Sequence, residues 1–524
     1  MDEIWPDAFG HLAFSFYYQS RIMLPELQLS FVSSRKLVIS TALFITLLTS
    51  VNSWADDKDT SLRLNQSIDL QSNEQERQIL KDEDYLKGER PTLTIDGKTY
   101  TIKHNVNDVG RALYMSIQQK QWSAVGYFLD EYLTFSNADP MLIAYAQGAL
   151  ARLQGNMEKA EAEFKTLLDI KPDFMLGQLE LARVLFENRK DAESEAMFQQ
   201  IAQSLNPADA RQQGVLTTVD SFLQAVDKRQ AWQGSIALGP TWSDNLNQTS
   251  ESYSCLFYYG SVCLFERATP EAVKSHGMDY EITLNKRFAL SGHHGLFFRS
   301  LWFGQSYKDH SLYNESQLST QFGYSYHNMR NQYSLAPSFE FVRYGNDSLY
   351  GASGLHGEWL HYLSDKAMFK LEADYKNQQY RKELIADQYD GGIWSTYATA
   401  WYGLPNNWTV FGGLDWTRKT AEVDQNAYEQ IGVRAGVAKT FNAHINAVLF
   451  ASLREREHDA FNALLDEQRK DFEQNYTVIL RFPTLAVYGL EPNLTFKHRK
   501  VHSNVDWLYS YDRNSVSLKL EKRF

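Results

Sequence analysis

The sequence predicts an α + β multidomain chain: α-helical tetratricopeptide-type repeats followed by a transmembrane antiparallel β-barrel of about 14 strands. Three observations point there. A helical stretch repeats itself with a period of about 34 residues. From Gln233 to the C-terminus, apolar and polar residues alternate with the two-residue period of a strand. The connections between those alternating stretches are short and long in turn, the pattern of a barrel with tight turns on one side of a membrane.

Composition agrees with this class. Of 524 residues, 43% are hydrophobic and 14% aromatic, with 30 Tyr, 30 Phe and 12 Trp. Mean hydropathy is nonetheless -0.44. Both hold at once when only every second strand residue meets lipid and aromatic girdles mark the interfaces. The formal net charge of -12 gives no basic footprint and excludes a nucleic-acid binder.

Residues 1–55 read as a signal peptide with an N-terminal extension. The apolar run Leu37 to Leu48 follows Arg35 and Lys36, and Ser53-Trp54-Ala55 offers small residues for cleavage. The expected true start is near Met23. Residues 56–104 read as a polar, acidic linker with a short hairpin, where Leu93, Ile95, Tyr100 and Ile102 flank Asp96-Gly97.

Residues 105–230 form the repeat domain. Gly148, Gly155, Ala160, Phe164 and Pro172 occupy the small, turn, small, aromatic and proline positions of one unit. Ala182 and Phe198 recur one period later, and Ala112, Ala124 and Phe128 precede them. The register places Tyr145, Arg152, Arg183 and Phe186 on the concave side as cargo-binding residues. Interhelical core is an equally open reading for Tyr145 and Phe186.

Residues 233–524 form the barrel. Strands can be marked from 233–242 through to 512–524. On one of them Leu318, Phe322 and Tyr324 oppose Gln317, Gln321 and Ser325, and on another Phe369 and Leu371 oppose Lys370, Glu372 and Asp374. The charged face points into a wet lumen. Tight turns such as Ser291-Gly292-His293, Pro405-Asn406-Asn407 and Pro483-Thr484-Leu485 face the periplasm, on the side of the helical domain. Longer loops at 243–277, 381–390, 419–426 and 454–470 face outward.

The chain shows no HExxH, P-loop, GxSxG or CxxC motif. The reading is therefore not an enzyme, with no catalytic residues, no metal site and no cofactor. Barrel hydrolases need no compact motif and remain a minor alternative. His293-His294 reads as a solvated pair, and His356 and His361 face opposite sides of one strand. The run Arg454 to Asp459 reads as a solvated loop edge. Cys255 and Cys263 are the two cysteines. They lie in the first long loop and are expected to pair in an oxidising compartment.

In the last strand, Val516, Leu518, Leu520 and Phe524 share one face, and Ser517, Lys519, Glu521 and Arg523 share the other. An alternating last strand closing on an aromatic resembles the C-terminal signal of bacterial outer-membrane barrels. The resemblance implies that Phe524 is a handle for the barrel assembly machinery.

A second resemblance covers the chain from Leu93 to Phe524. The hairpin Leu93-Thr94-Ile95-Asp96-Gly97-Lys98-Thr99-Tyr100 runs into Val109-Gly110-Arg111-Ala112-Leu113. The first barrel strand ends in Gly239-Pro240-Thr241-Trp242-Ser243-Asp244-Asn245-Leu246-Asn247. With the domain order, these stretches resemble the surface lipoprotein assembly modulator (Slam) family, which includes NilB-like host-association proteins. Membership implies an outer-membrane translocator that delivers lipoproteins or related small secreted proteins to the cell surface. It also implies a periplasmic repeat domain engaging cargo or chaperones. The rival readings are a polysaccharide exporter, which usually has many more repeats, and a nutrient porin with a periplasmic appendage.

Overall fold

The computed structural model describes residues 93–95, 98–100, 102–259, 262–441 and 444–524. The expected signal peptide and most of the polar linker lie outside the described residues. The expected hairpin is present as β1 (Leu93–Ile95) and β2 (Lys98–Tyr100), paired antiparallel.

Seven helices follow: α1 (Val106–Gln118), α2 (Trp122–Tyr132), α3 (Pro140–Leu153), α4 (Met157–Ile170), α5 (Met175–Glu187), α6 (Asp191–Ser204) and α7 (Gln213–Gln230). Three of them, α1, α3 and α4, start at side chains that satisfy orphan backbone donors. Asn105 accepts from the Asp108 amide, and Asp139 accepts from the Met141 amide ahead of a proline at the first turn of α3. Gly155 ends α3 at φ +74, a conformation that favours glycine.

The repeat is visible as packing. A Cβ on Gly148 would lie 3.0 Å from the Phe164 ring, and one on Gly110 would lie 2.8 Å from Tyr132. Each small residue on a first helix admits an aromatic from the second. Ala182 and Phe198 repeat the pair in the next unit, both fully buried. The longer α7 caps the stack, its Phe222 ring stacked 4.8 Å from Phe198.

The rest of the described chain is strand: β3 (Gln233–Ser243), β4 (Tyr253–Tyr259), β5 (Val262–Ala268), β6 (Ser275–Ala289), β7 (His294–Ser306), β8 (Glu315–His327), β9 (Asn331–Tyr344), β10 (Asp347–Ser364), β11 (Ala367–Tyr380), β12 (Gly391–Leu404), β13 (Trp408–Lys419), β14 (Tyr428–Phe441), β15 (Ile445–Asn462), β16 (Glu467–Arg481), β17 (Glu491–Ser503) and β18 (Tyr511–Arg523). Two short helices, α8 (Glu383–Tyr389) and α9 (Asp506–Tyr509), lie in loops. β3 and β6 to β18 close into one antiparallel barrel of 14 strands, with β18 pairing back onto β3.

The barrel inverts the usual burial rule. Leu414, Ile431 and Phe339 are 62%, 60% and 58% exposed, while Asp415, Gln430 and Glu340 beside them are buried. An apolar outside around a polar inside is a wall built for lipid. Trp232, Phe288 and Phe298 cluster on its rim beside Lys286, at the side where α7 enters.

Three connections differ from the sequence expectation. The 454–470 stretch is not a loop: β15 runs on to Asn462 and β16 starts at Glu467. Arg454, Arg456 and His458 point inward and are buried, while Glu455, Glu457 and Asp459 point out. Charge on both faces hid the alternation, because these strands continue past the lipid. The first long loop contains the β4–β5 hairpin. The turn after β16 runs through a 3-10 segment at Pro483–Leu485, so β17 begins at Glu491.

Candidate functional site: a charged lumen with a docked helical domain

Three of the four expected groove residues come together. Arg152 Nη1 lies 3.1 Å from Glu187, and Arg183 Nε lies 2.8 Å from the same carboxylate. Arg152 Nε is 3.5 Å from Glu180. Tyr145 packs edge-on against Phe164 and Phe174, and burial pushes its phenol pKa up, with Glu180 adding to the rise. Arg152 is buried rather than offered to solvent, because α5 supplies two acids across from α3. Phe186 stands apart from this cluster and is not an open groove residue. It is fully buried between α5, α6 and α7, with the Arg229 guanidinium 3.7 Å above its ring. The i, i+4 spacing of Arg183 and Glu187 is a sequence signal that marks part of this cluster.

The helical domain is docked on the short-turn side of the barrel. Asp191, at the start of α6, accepts from Arg229 at 2.8 Å and from Arg287 of β6 at 3.2 Å. Glu193 accepts from the Gly292 amide in the β6–β7 turn. Arg330, in the β8–β9 turn, approaches so closely that a Cβ on Gly155 would sit 3.0 Å from its guanidinium. His293, expected to be solvated, is half-buried at this junction and contacts the His327 carbonyl at 2.9 Å. Burial lowers its pKa. No sequence periodicity marks the contacts across the junction, since they join residues about 100 to 175 positions apart.

Ion pairs between adjacent strands, and across one intervening strand, line the lumen. Asp415 on β13 accepts from Arg434 on β14 at 3.0 Å and from Arg454 on β15 at 2.8 Å. Arg499 pairs with Glu473, and Arg481 with Glu521, each at 3.0 Å. Toward the short-turn side the β12–β16 wall turns apolar inside, with Trp401, Phe411, Phe450 and Ile479 packed together. His356, Glu358 and Glu372 bring one ligand-type atom each within 4.8 Å. Arg299 lies 3.2 Å from Glu358, and Lys370 lies 3.2 Å from Glu372. Each carboxylate already has a cation, so the cluster is an ion-pair network like its neighbours.

The Asp-Asn run after β3 fastens the first loop. Asp244 accepts from the Asn514 amide and side chain, each at 2.7 Å. Asn245 donates to the carbonyls of Thr249 and Asp512. Asn247 bonds to Glu271 and Val273, where the loop returns. Cys255 on β4 is disulfide-bonded, and Cys263, the other cysteine of the chain, lies on the paired strand β5.

The family model described as "Surface lipoprotein assembly modifier" matches residues 232–524. The chain belongs to the surface lipoprotein assembly modifier family. The companion model, "Surface lipoprotein assembly modifier, N-terminal TPR repeats", matches residues 95–198. Among relatives of this family member, the Hemophilin secretion modulator of Acinetobacter baumannii is 42% identical, covering 92% of this chain and 98% of its own. The Surface lipoprotein assembly modifier of Pasteurella multocida is 25% identical, covering 79% and 82%. The outer membrane channel DcaP of Acinetobacter baumannii superposes loosely, at a TM-score of 0.32 and 8% identity over 56% of this chain and 96% of its own. The barrel reading rests on the strand pairing of this chain alone.

Proposed function

We propose that this family member is an outer-membrane translocator, moving surface lipoproteins or a hemophilin-like secreted protein from the periplasm to the cell surface. The observation that carries the reading is the docking of the helical domain on the turn side of the barrel through Asp191 and Arg287. A cargo held by the repeats is then held beside the lumen. The lumen supplies a polar passage, and the repeat face that carries Tyr145 and Arg183, with Arg152 buried behind it, supplies a place to hold cargo. Periplasmic chaperones that keep cargo unfolded, and the outer-membrane barrel assembly machinery that reads Phe524, are further partners of this reading. Phe524 is 54% exposed on the lipid side while its backbone pairs with Gly234, so its ring is available to an assembly factor.

The test is to express the chain with Acinetobacter baumannii hemophilin in a host lacking the system. Cargo should reach the surface or medium with the full protein. It should stay inside when residues 106–230 are deleted and the barrel still folds. Cargo leaving equally well without the barrel, with labelled sugars or polysaccharide depending on it instead, would replace this reading by a porin or exporter.

A further inference from the structure

The chain's first and last barrel strands meet at the β3–β18 seam. This pairing is the sparsest in the barrel. It has seven register pairs, against eleven on each flanking seam. The pairs form two blocks in one register, and the two missing pairs are those of Gly239 and Pro240 with Lys519 and Leu518. Pro240 has no N–H to donate. A similar gap occurs where Pro337 of β9 faces Phe322 of β8, but eleven pairs remain there and a short turn ties the strands together. β3 and β18 have no such turn between them.

Side chains close the gap from inside. Lys519 faces Gly239 in the register, and Gly239 faces Asp279 on β6. With no side chain on Gly239, Lys519 reaches across β3 to Asp279 at 3.3 Å and Glu281 at 3.2 Å. Ser517 donates to Asp279 at 3.0 Å, and its hydroxyl lies 2.8 Å from that of Thr241. Outside the gap, Leu238, Leu518 and Leu520 are half exposed to lipid.

We propose that this seam is a lateral exit, parting at Gly239–Pro240 to pass the acyl group of a lipoprotein into the bilayer while the polypeptide stays in the lumen. The proposal rests on the translocator reading above and adds the route by which the acyl group of a lipoprotein leaves the barrel. Backbone groups parted in lipid have no water to replace their partners, and this stretch has the fewest to lose. The Lys519 latch faces the wet lumen, where water or cargo can replace its bonds. An acyl chain meets only apolar surface outside.

Two matched staples test it. Thr241→Cys with Ser517→Cys closes the seam. Ser395→Cys with Thr417→Cys staples β12 to β13, where the native hydroxyls lie 3.2 Å apart. The passengers are Acinetobacter baumannii hemophilin and the same protein behind a lipoprotein signal peptide. Heat-modifiable migration confirms that each barrel is folded, and unstapled protein receives the same reductant. The expected result is loss of surface display of the acylated passenger with the seam staple alone, regained on reduction, while unacylated hemophilin still leaves. Unchanged display of the acylated passenger under the seam staple overturns the exit. So does equal loss with the β12–β13 staple, or an unstapled barrel that passes only unacylated hemophilin. An unstapled barrel that moves neither passenger defeats the translocator reading, and the exit falls with it.

Discussion

Asp191 Oδ2 lies 3.2 Å from Arg287 Nη1, an ion pair that crosses from the helical domain to the inner wall of the barrel. The Asp191 and Arg287 side chains are 5% and 12% exposed. Asp191 also holds Arg229, so removing the carboxylate leaves two guanidinium groups without it. Breaking one side of a buried pair costs about 3–5 kcal/mol. Asp191→Asn should therefore undock the domain, raising amide hydrogen exchange in α6 and α7 and protease cleavage near Gln230. The barrel's heat-modifiable migration should not change. Protection identical to the native protein would mean that the pair does not hold the junction.

Arg152 and Arg183 share Glu187 but should behave differently. Arg152 is buried and joins α3 to α5, so Arg152→Ala should lower stability of the repeats by about 3–5 kcal/mol. Arg183 is half-buried and pairs within its own helix, a contact of about 0.3–0.5 kcal/mol. The sequence alone suggests that both changes spare folding, and the two acids on α5 reverse that expectation for Arg152. Hydrogen exchange across α3 to α5 in each variant decides it. Equal, small effects would place Arg152 in an open groove.

Glu161 ties α4 to the start of α6 through Lys190 at 2.8 Å, with Lys165 on its other side. Burial pushes its carboxyl pKa up, but hydrogen bonds from Lys165 and Lys190 outweigh burial and hold it below the ordinary value of 4.5. The folded state then binds the proton less readily than the unfolded one. Its stabilisation is complete above pH 4.5 and is lost as pH falls through the folded value. Glu161→Gln should thus be less stable than the native protein near neutral pH, with the difference shrinking on acidification. A difference that grows as pH falls would reverse the sign of this linkage.

Most of the barrel was legible because lipid enforces a strict two-residue pattern. Leu318 and Gln321, or Leu371 and Glu372, differ so strongly in polarity that their faces could be assigned from the sequence. Legibility failed where lipid stopped. Beyond Arg454, both faces of β15 carry charge, and alternation in size or sign says nothing about direction. The helical repeat was readable from Gly148 and Phe164, since a small residue must face an aromatic one. Phe186 was ambiguous because aromatic residues serve grooves and cores alike, and the helix that covers it, α7, lies outside the repeating pattern. The Asp191–Arg287 contact left no sequence signal, because ion pairs between distant residues have no period.

The turn of the β15–β16 hairpin, residues 463–466, lies on the side opposite Phe524 and α7. An epitope inserted after Leu464 should label on intact cells, and one inserted after Asn406 should label only after the outer membrane is opened. Labelling in the opposite pattern would invert the topology and place the repeats outside.

Gly239 and Gly357 separate a strand that must come close from one that need not. A Cβ on Gly239 would lie 2.0 Å from the Leu518 carbonyl oxygen, a backbone atom that cannot turn aside. A Cβ on Gly357 would find its nearest neighbour at 3.9 Å, an ordinary contact. Gly239→Val must force β3 away from β18, and overpacking of this kind costs about 1–3 kcal/mol. It also fills the space that Lys519 crosses to reach Asp279, so strand pairing and latch should suffer together. Gly357→Ala should leave the yield of heat-modifiable barrel unchanged, while Gly239→Val should lower it. Gly239→Ala should fall between them, because it brings the same Cβ without the two methyl groups beyond it. If Gly239→Val assembled as well as Gly357→Ala, the close approach at the seam would not exist in the folded protein.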